Sequence, residues 1–149
     1  MDHLTRLVLL VLALASPAAP EDMALVDVTR PPQFTYGAWD GAVAGDGALR
    51  VAAASGKGGV GYSVAVDLSS RAAEVPVLRV RLGDGHQATK LRVMLRDASG
   101  NAATWDFAVA GGGGSAVVLE PVDGAGLSTP HAQARDSRGP LDLAHVTQW

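Results

Sequence analysis

Four arginines in this sequence are spaced so that they can gather on one surface. Arg79 and Arg81 alternate with Leu78, Val80 and Leu82, and Arg92, Met94 and Arg96 alternate with Leu91, Val93 and Leu95. The turn residues Gly83-Asp84-Gly85-His86 lie between the two runs. A hairpin joining the runs would bring Arg81 nearly opposite Arg92, with all four guanidinium groups on the face away from the core. Arginine presents planar, forked donors that match carboxylates and sulfates, so such a face suits an anion or a charged polysaccharide. Like charges facing across a strand pair are mildly destabilising. Asp106, on the next alternating run, is the local compensating partner. The simpler reading of the same residues is a solvated face whose ion pairs contribute about 0–1 kcal/mol each.

Aromatic rings are the other chemistry-bearing groups, because a planar ring can lie against the apolar C–H face of a sugar. Aromatics make up only 5% of the 149 residues, so each one carries an unusual share of contact area. Trp105 alternates in phase with Phe107 and Val109 and is expected in the core. Tyr36 and Trp39 precede the strongest strand signals in a stretch with Gly and Pro, and are the expected ligand platform.

The remaining motifs reduce to turns. Lys57-Gly58-Gly59-Val60-Gly61-Tyr62-Ser63 imitates a phosphate-binding loop of the KGGVGK[S/T] type. That loop needs a second lysine against the phosphates and a helix N-terminus to present amides. Tyr62 stands at the lysine position and an alternating strand follows, so nucleotide binding is set aside and a glycine turn, which allows positive φ, is expected. Asp84, Asp97 and Asp123 sit in glycine-containing turns, which is ordinary turn chemistry. Oxygen-rich turns of this kind can also hold a structural calcium ion, although no EF-type spacing is present and no cofactor is implied. His3, His86, His131 and His145 show no metal-ligand spacing, and no G-x-S-x-G elbow occurs. A small hydrolase working through an acidic pair is the weakest reading, and a non-enzymatic role is expected.

Eighteen glycines and eight prolines imply many tight turns, as in an all-β domain. The net charge of −3 gives no whole-chain attraction to nucleic acid or to an anionic membrane. With no cysteine, the sequence lacks a disulfide framework and thiolate chemistry. Residues 7–15 (LVLLVLALA) form an apolar run behind Arg6. The run is shorter than the roughly 20 residues of a membrane span, so no stable span is expected. It matches the apolar segment of a secretory signal, with Ala13-Leu14-Ala15 as the small-x-small site and cleavage near Ala15 and Ser16. The alternative is a buried first helix. Residues 1–15 are thus expected to be a signal peptide, 16–23 a short linker and 24–149 the domain, in an extracellular or periplasmic protein.

Period-two alternation dominates that domain. Tyr62, Val64, Val66 and Leu68 form one apolar face, Leu78, Val80 and Leu82 a second, Leu91, Val93 and Leu95 a third, and Trp105, Phe107 and Val109 a fourth. Half-buried antiparallel strands read this way. Weaker strand signals cover residues 24–28, 34–39, 48–54, 116–120 and 141–149. Residues 97–101 (DASGN) should close a hairpin with Leu95 opposite Trp105 and Val93 opposite Phe107. Short strands at this density imply an antiparallel β-sandwich or jelly roll. Residues 141–149 begin as a strand and stop on Trp149. That stretch is either a genuine terminal strand or the start of one in a sandwich lacking its final strand, with an exposed edge.

The ordered string LRVRLGDGHQATKLRVMLRDASGNAATWDFAV, preceded by GGVGYSVAVDLSS, resembles the galactose-binding-like jelly rolls found as carbohydrate-binding modules of secreted bacterial proteins. The resemblance rests on Asp67-Leu68-Ser69, on Leu95-Arg96-Asp97-Ala98-Ser99-Gly100, on Trp105-Asp106-Phe107 and on Pro140-Leu141-Asp142-Leu143. It implies a jelly-roll fold and a glycan ligand, and it assigns no ligand residue. The expected function is a secreted, non-catalytic binding module for a carbohydrate or glycan surface. The alternative is a structural or adhesion sandwich that binds a protein partner or self-associates through an edge strand.

Overall fold

The computed structural model describes residues 11–16, 19–25, 28, 30–37, 41–45, 48–52, 58–110 and 113–149. It is an all-β, antiparallel sandwich. The described strands are β1 (Val11–Ser16), β2 (Ala19–Ala24), β3 (Phe34–Gly37), β4 (Gly41–Gly45), β5 (Ala48–Ala52), β6 (Gly58–Gly61) and β7 (Ser63–Val66). They continue with β8 (Val75–Arg81), β9 (Lys90–Asp97), β10 (Ala102–Ala108), β11 (Ala116–Leu119), β12 (Ala132–Gln133) and β13 (Val146–Gln148). One sheet runs β11-β8-β1-β2 and the other β12-β10-β9-β13-β7, while β3-β6 and β4-β5 form two-stranded ribbons.

The four apolar faces read from the alternation meet in one core. Leu78 and Val80 reach it from β8, Val93 and Leu95 from β9, and Trp105 and Phe107 from β10, with Tyr62 and Leu68 beside them. Burying each such side chain contributes about 1.5–3 kcal/mol relative to leaving it in water, so an in-phase apolar set is enough to fix which side of each strand faces inward.

The β9–β10 hairpin forms with its expected faces but in a register shifted by two residues. Val93 lies opposite Trp105, Leu91 opposite Phe107 and Leu95 opposite Ala103. An even shift leaves every side chain on its own face, so the hydrophobic pattern could not distinguish the two registers. The loop decides. The Asp97 amide donates to the Asn101 carbonyl at 2.9 Å, and the Gly100 amide donates to the Asp97 carbonyl at 3.0 Å. Gly100 has φ of +87°, a conformation that L side chains rarely adopt.

Two expectations are corrected. β8 and β9 do not pair: they lie in different sheets, so Arg81 is not opposite Arg92. Alternation says which side of a strand is apolar, and two strands can satisfy it across the core as readily as side by side. The turn between them does form, with the His86 amide donating to Gly83 O at 3.2 Å. Second, residues 58–61 are not a turn but strand β6, paired with β3 from Phe34 opposite Gly61 to Gly37 opposite Gly58. Glycine allows positive φ without requiring it. The C-terminal stretch forms a strand, as one of its two readings has it. It is an interior strand, β13, placed between β9 and β7. Trp149 and Tyr62 exchange backbone hydrogen bonds at 2.9 and 3.1 Å, and their rings stack at 5.4 Å. A Cβ on Gly61 would lie 2.7 Å from the Trp149 carbonyl oxygen, so the close approach of these segments requires glycine there.

β1 and β2 fall on the stretch expected to be signal and linker. In the chain that carries these residues, β1 pairs with β8 from Val11 opposite Arg79 to Ala15 opposite Val75. Among the described residues, no helix is long and apolar enough to cross a membrane.

Candidate anion-contact face

The outer surface of the five-stranded sheet brings together some of the expected site residues and separates others. On β9, the residues that alternate outward are Lys90, Arg92, Met94 and Arg96, and on β10 they are Ala102, Thr104, Asp106 and Ala108. Much of that surface is covered. Ala102 and Thr104 are buried although they point away from the core. The Ser137 hydroxyl accepts from the Ala102 amide at 2.8 Å and donates to its carbonyl at 3.0 Å, and β12 pairs with β10 at Ala103 and Thr104. The end bearing Lys90, Arg92 and Asp106 stays open.

At that end Asp106 lies directly opposite Arg92. The Arg92 Nε donates to Oδ1 at 2.6 Å and an Nη donates to Oδ2 at 2.9 Å, a two-pronged pair. Lys90 Nζ reaches the same carboxylate at 3.2 Å. The hydrogen bonds from Arg92 hold the Asp106 carboxyl down at about 2, against the opposing effect of partial burial and with help from Lys90. The same pairing raises the Arg92 guanidinium above its ordinary value. Asp106 thus stays ionised and fixes two cations, whose side chains remain 52% and 53% exposed for Lys90 and Arg92.

His131 completes the arrangement from behind. Its Nδ1 accepts from the Asp106 amide at 2.8 Å, and its Nε2 donates to the Val122 carbonyl. One ring therefore ties β10 at Asp106 to the 3-10 turn at Val122–Gly124. This role needs the neutral tautomer protonated at Nε2, since a ring carrying protons on both nitrogens has no acceptor.

The other predicted residues are placed elsewhere. Arg96 is tied down, donating to Gly100 O at 2.6 Å and to Asp136 at 3.2 Å, and serves the β9–β10 loop. Arg79 and Arg81 lie on β8 in the opposite sheet, beside Val118 and Ala116 of β11. The four-arginine face is therefore split between the two outer surfaces. Tyr36 is on β3 opposite Gly59, but its side chain lies outside the described residues, as does Trp39 altogether. Lys90 was legible as an outward residue two positions before Arg92. His131 was not, because nothing local links it to a residue 25 positions earlier.

Among the described residues, no group of three or more His, Asp or Glu side chains is arranged to hold a metal ion. Asp97, one of the three turn aspartates, has both carboxylate oxygens engaged by N–H donors. A separate open groove of about 620 Å³ runs beside the edge strand β7, lined by Met23, Leu25, Arg30 and Ser63–Val66. It contains none of the expected ligand residues. A scan against protein-family models, a search of curated proteins and a search of solved structures each returned no match.

Proposed function

We propose that this chain is an exported, non-catalytic binding module that contacts a glycan carrying carboxylate or sulfate groups through the Lys90–Arg92–Asp106 face. The observation that carries the reading is the pair of cations held by one carboxylate, with both cationic side chains more than half exposed. Asp106 uses two of the five N–H donors of Arg92 and one of the three on Lys90, so donors remain for a ligand. Fixing the side chains beforehand lowers the ordering cost of binding. The jelly-roll resemblance of the hairpin strings around Asp97 and Trp105 supports the same class of ligand. Cleavage near Ala15 and Ser16 would take β1 out of the four-stranded sheet, whereas this face lies on the five-stranded sheet.

The test is retention on an acidic polysaccharide column, compared with a neutral one, over a salt series. Retention on the acidic matrix is expected to fall with salt, as for any contact between exposed charges. Arg92→Ala should weaken binding about 10-fold or more, the loss of charge-assisted hydrogen bonds, with Lys90→Ala additive in direction. Equal retention of wild type and Arg92→Ala would refute the anion-contact reading. Retention only on neutral polysaccharide, abolished by Trp39→Ala, would move the ligand site to the Tyr36–Trp39 segment.

A further inference from the structure

We infer that two copies of this chain associate by pairing β11 with β11 across a two-fold axis, with Val118 facing its own copy. This does not rest on the glycan face, which belongs to the other sheet.

β11 ends the four-stranded sheet, and among the described residues its outer backbone edge has no strand neighbour. Sheets normally protect such an edge with lysine, proline, a bulge or a covering loop. None of these lies within Ala116–Leu119, which is uncharged and regularly paired with β8 on its inner side. Two of the four exposed large hydrophobic residues among the described residues lie in this one strand, Val117 at 39% and Val118 at 54% exposure.

The register follows from symmetry. A two-fold axis relating antiparallel strands must stand perpendicular to the sheet, because only then does each residue keep its face. The pairing therefore centres on a residue opposite itself. Centring on Val118 places Val117 opposite Leu119 of the second copy. Both residues lie on the core side, across from Val80 and Leu78 of β8, so the two apolar interiors become continuous.

On the outer side, Ala116 pairs with Arg81 and Val118 with Arg79. The same alternation puts Glu120 on that side, opposite the second copy's Ala116 and one strand short of its Arg81. Two strand spacings of about 4.8 Å each separate the two backbones, a span that glutamate and arginine side chains bridge over an alanine methyl. Neither Arg81 nor Glu120 forms an ion pair among the described residues. The symmetric contact thus supplies two complementary pairs and brings no like charges face to face. Centring on Val117 would put Glu120 opposite Gly114 and forgo them. The absence of charge at the centre is what a surface that meets itself requires, and it favours a second copy over an unrelated partner. Pro121 follows Glu120 and, lacking an N–H, limits the ladder to a short edge. The association is accordingly weak and depends on concentration.

Sedimentation velocity of the full chain over a concentration series is expected to show a monomer–dimer equilibrium. Val118→Lys places two ammonium groups at the axis and should raise the dimer dissociation constant about 10-fold or more. Its far-ultraviolet circular dichroism and melting should match wild type, because Val118 faces solvent in the monomer. Glu120→Arg should also weaken the dimer, and the double variant Glu120→Arg with Arg81→Glu should restore it. A monomer at every concentration, a dimer indifferent to Val118→Lys, or a double variant no tighter than Glu120→Arg alone would each overturn the proposal. Polysaccharide retention of the Val118→Lys variant should be unchanged at low concentration, which separates a failure here from a failure of the glycan reading.

Discussion

Asp97→Ala should be among the most damaging single changes outside the apolar core, costing about 3–4 kcal/mol against a total stability of about 5–15 kcal/mol. Asp97 is only 2% exposed, yet it is a charged residue. Its Oδ1 accepts from the amides of Ser99 and Asn101 at 2.8 and 2.9 Å. Its Oδ2 accepts from the Asn101 side chain at 3.1 Å and from the Asp142 amide at 2.9 Å. The alanine variant leaves these donors without their acceptor, and an unsatisfied buried donor costs more than the bond was worth. The damage should spread, because the Asn101 carbonyl oxygen of the side chain in turn accepts from the amides of Arg138 and Gly139 at 2.9 and 3.0 Å. One carboxylate therefore joins the β9–β10 loop to the segment that leads into β13. A urea titration measures the effect. A midpoint close to that of wild type would show that water replaces the carboxylate, and would remove Asp97 from the structural account.

The same residue sets part of the acid response. Burial pushes the Asp97 carboxyl up, but the donors from Asp142, Asn101 and Ser99 outweigh it and the net direction is down. Asp106 is lowered to about 2 by Arg92, and Asp67 and Asp142 are lowered by their hydrogen bonds to Ser69 and His145. A carboxyl that is more acidic folded than unfolded stabilises the protein above its unfolded value of 3.8. That contribution is lost as the pH falls through the folded value. Stability should therefore drop between about pH 4 and pH 2, with a shallower drop in Asp106→Asn. His145, raised by Asp142, acts in the opposite sense, and its contribution fades as the pH rises through its folded value.

Trp105→Ala should be comparably severe, at about 3–5 kcal/mol. Trp105 is fully buried at the centre of the core and lies opposite Val93. Its Nε1 donates to Gly126 O at 2.9 Å, which fastens the segment after β11 to the sandwich interior. Truncation therefore leaves both a large cavity and an unpaired carbonyl. Trp105→Phe separates the two effects, since it refills most of the volume and removes only the hydrogen bond, for about 1–3 kcal/mol. Differential scanning calorimetry of both variants is the measurement. A loss in Trp105→Phe as large as in Trp105→Ala would mean that the Gly126 bond, and not packing, dominates. Either result places Trp105 in the core and outside any sugar platform.

The legible part of the candidate site was the outward phase of Arg79, Arg81, Arg92, Arg96 and Asp106. The assembly of those residues was not legible. Arg92 meets Asp106 because β9 and β10 form a hairpin, a local contact that a run of alternation can announce. Arg81 misses Arg92 because β8 crosses to the opposite sheet, and Arg96 is drawn away by Gly100 and Asp136. His131 reaches the Asp106 backbone only through the path of the long segment after β11.

Taken alone, the sequence determined the all-β class, the apolar side of each main strand, and the hairpin across residues 97–101. These are properties of period and local turn chemistry, and they are encoded within about ten residues of one another. The tertiary structure decided which sheet each strand joined, the two-residue register of β9 against β10, and the placing of β13 between β9 and β7. It also decided which charges meet. The physical reason is common to all four: burial rewards any arrangement that keeps the apolar faces inward, and several arrangements do so equally well. The choice among them falls to long-range hydrogen bonds such as those of Asp97 and His131, whose partners lie too far along the chain for any local pattern to record.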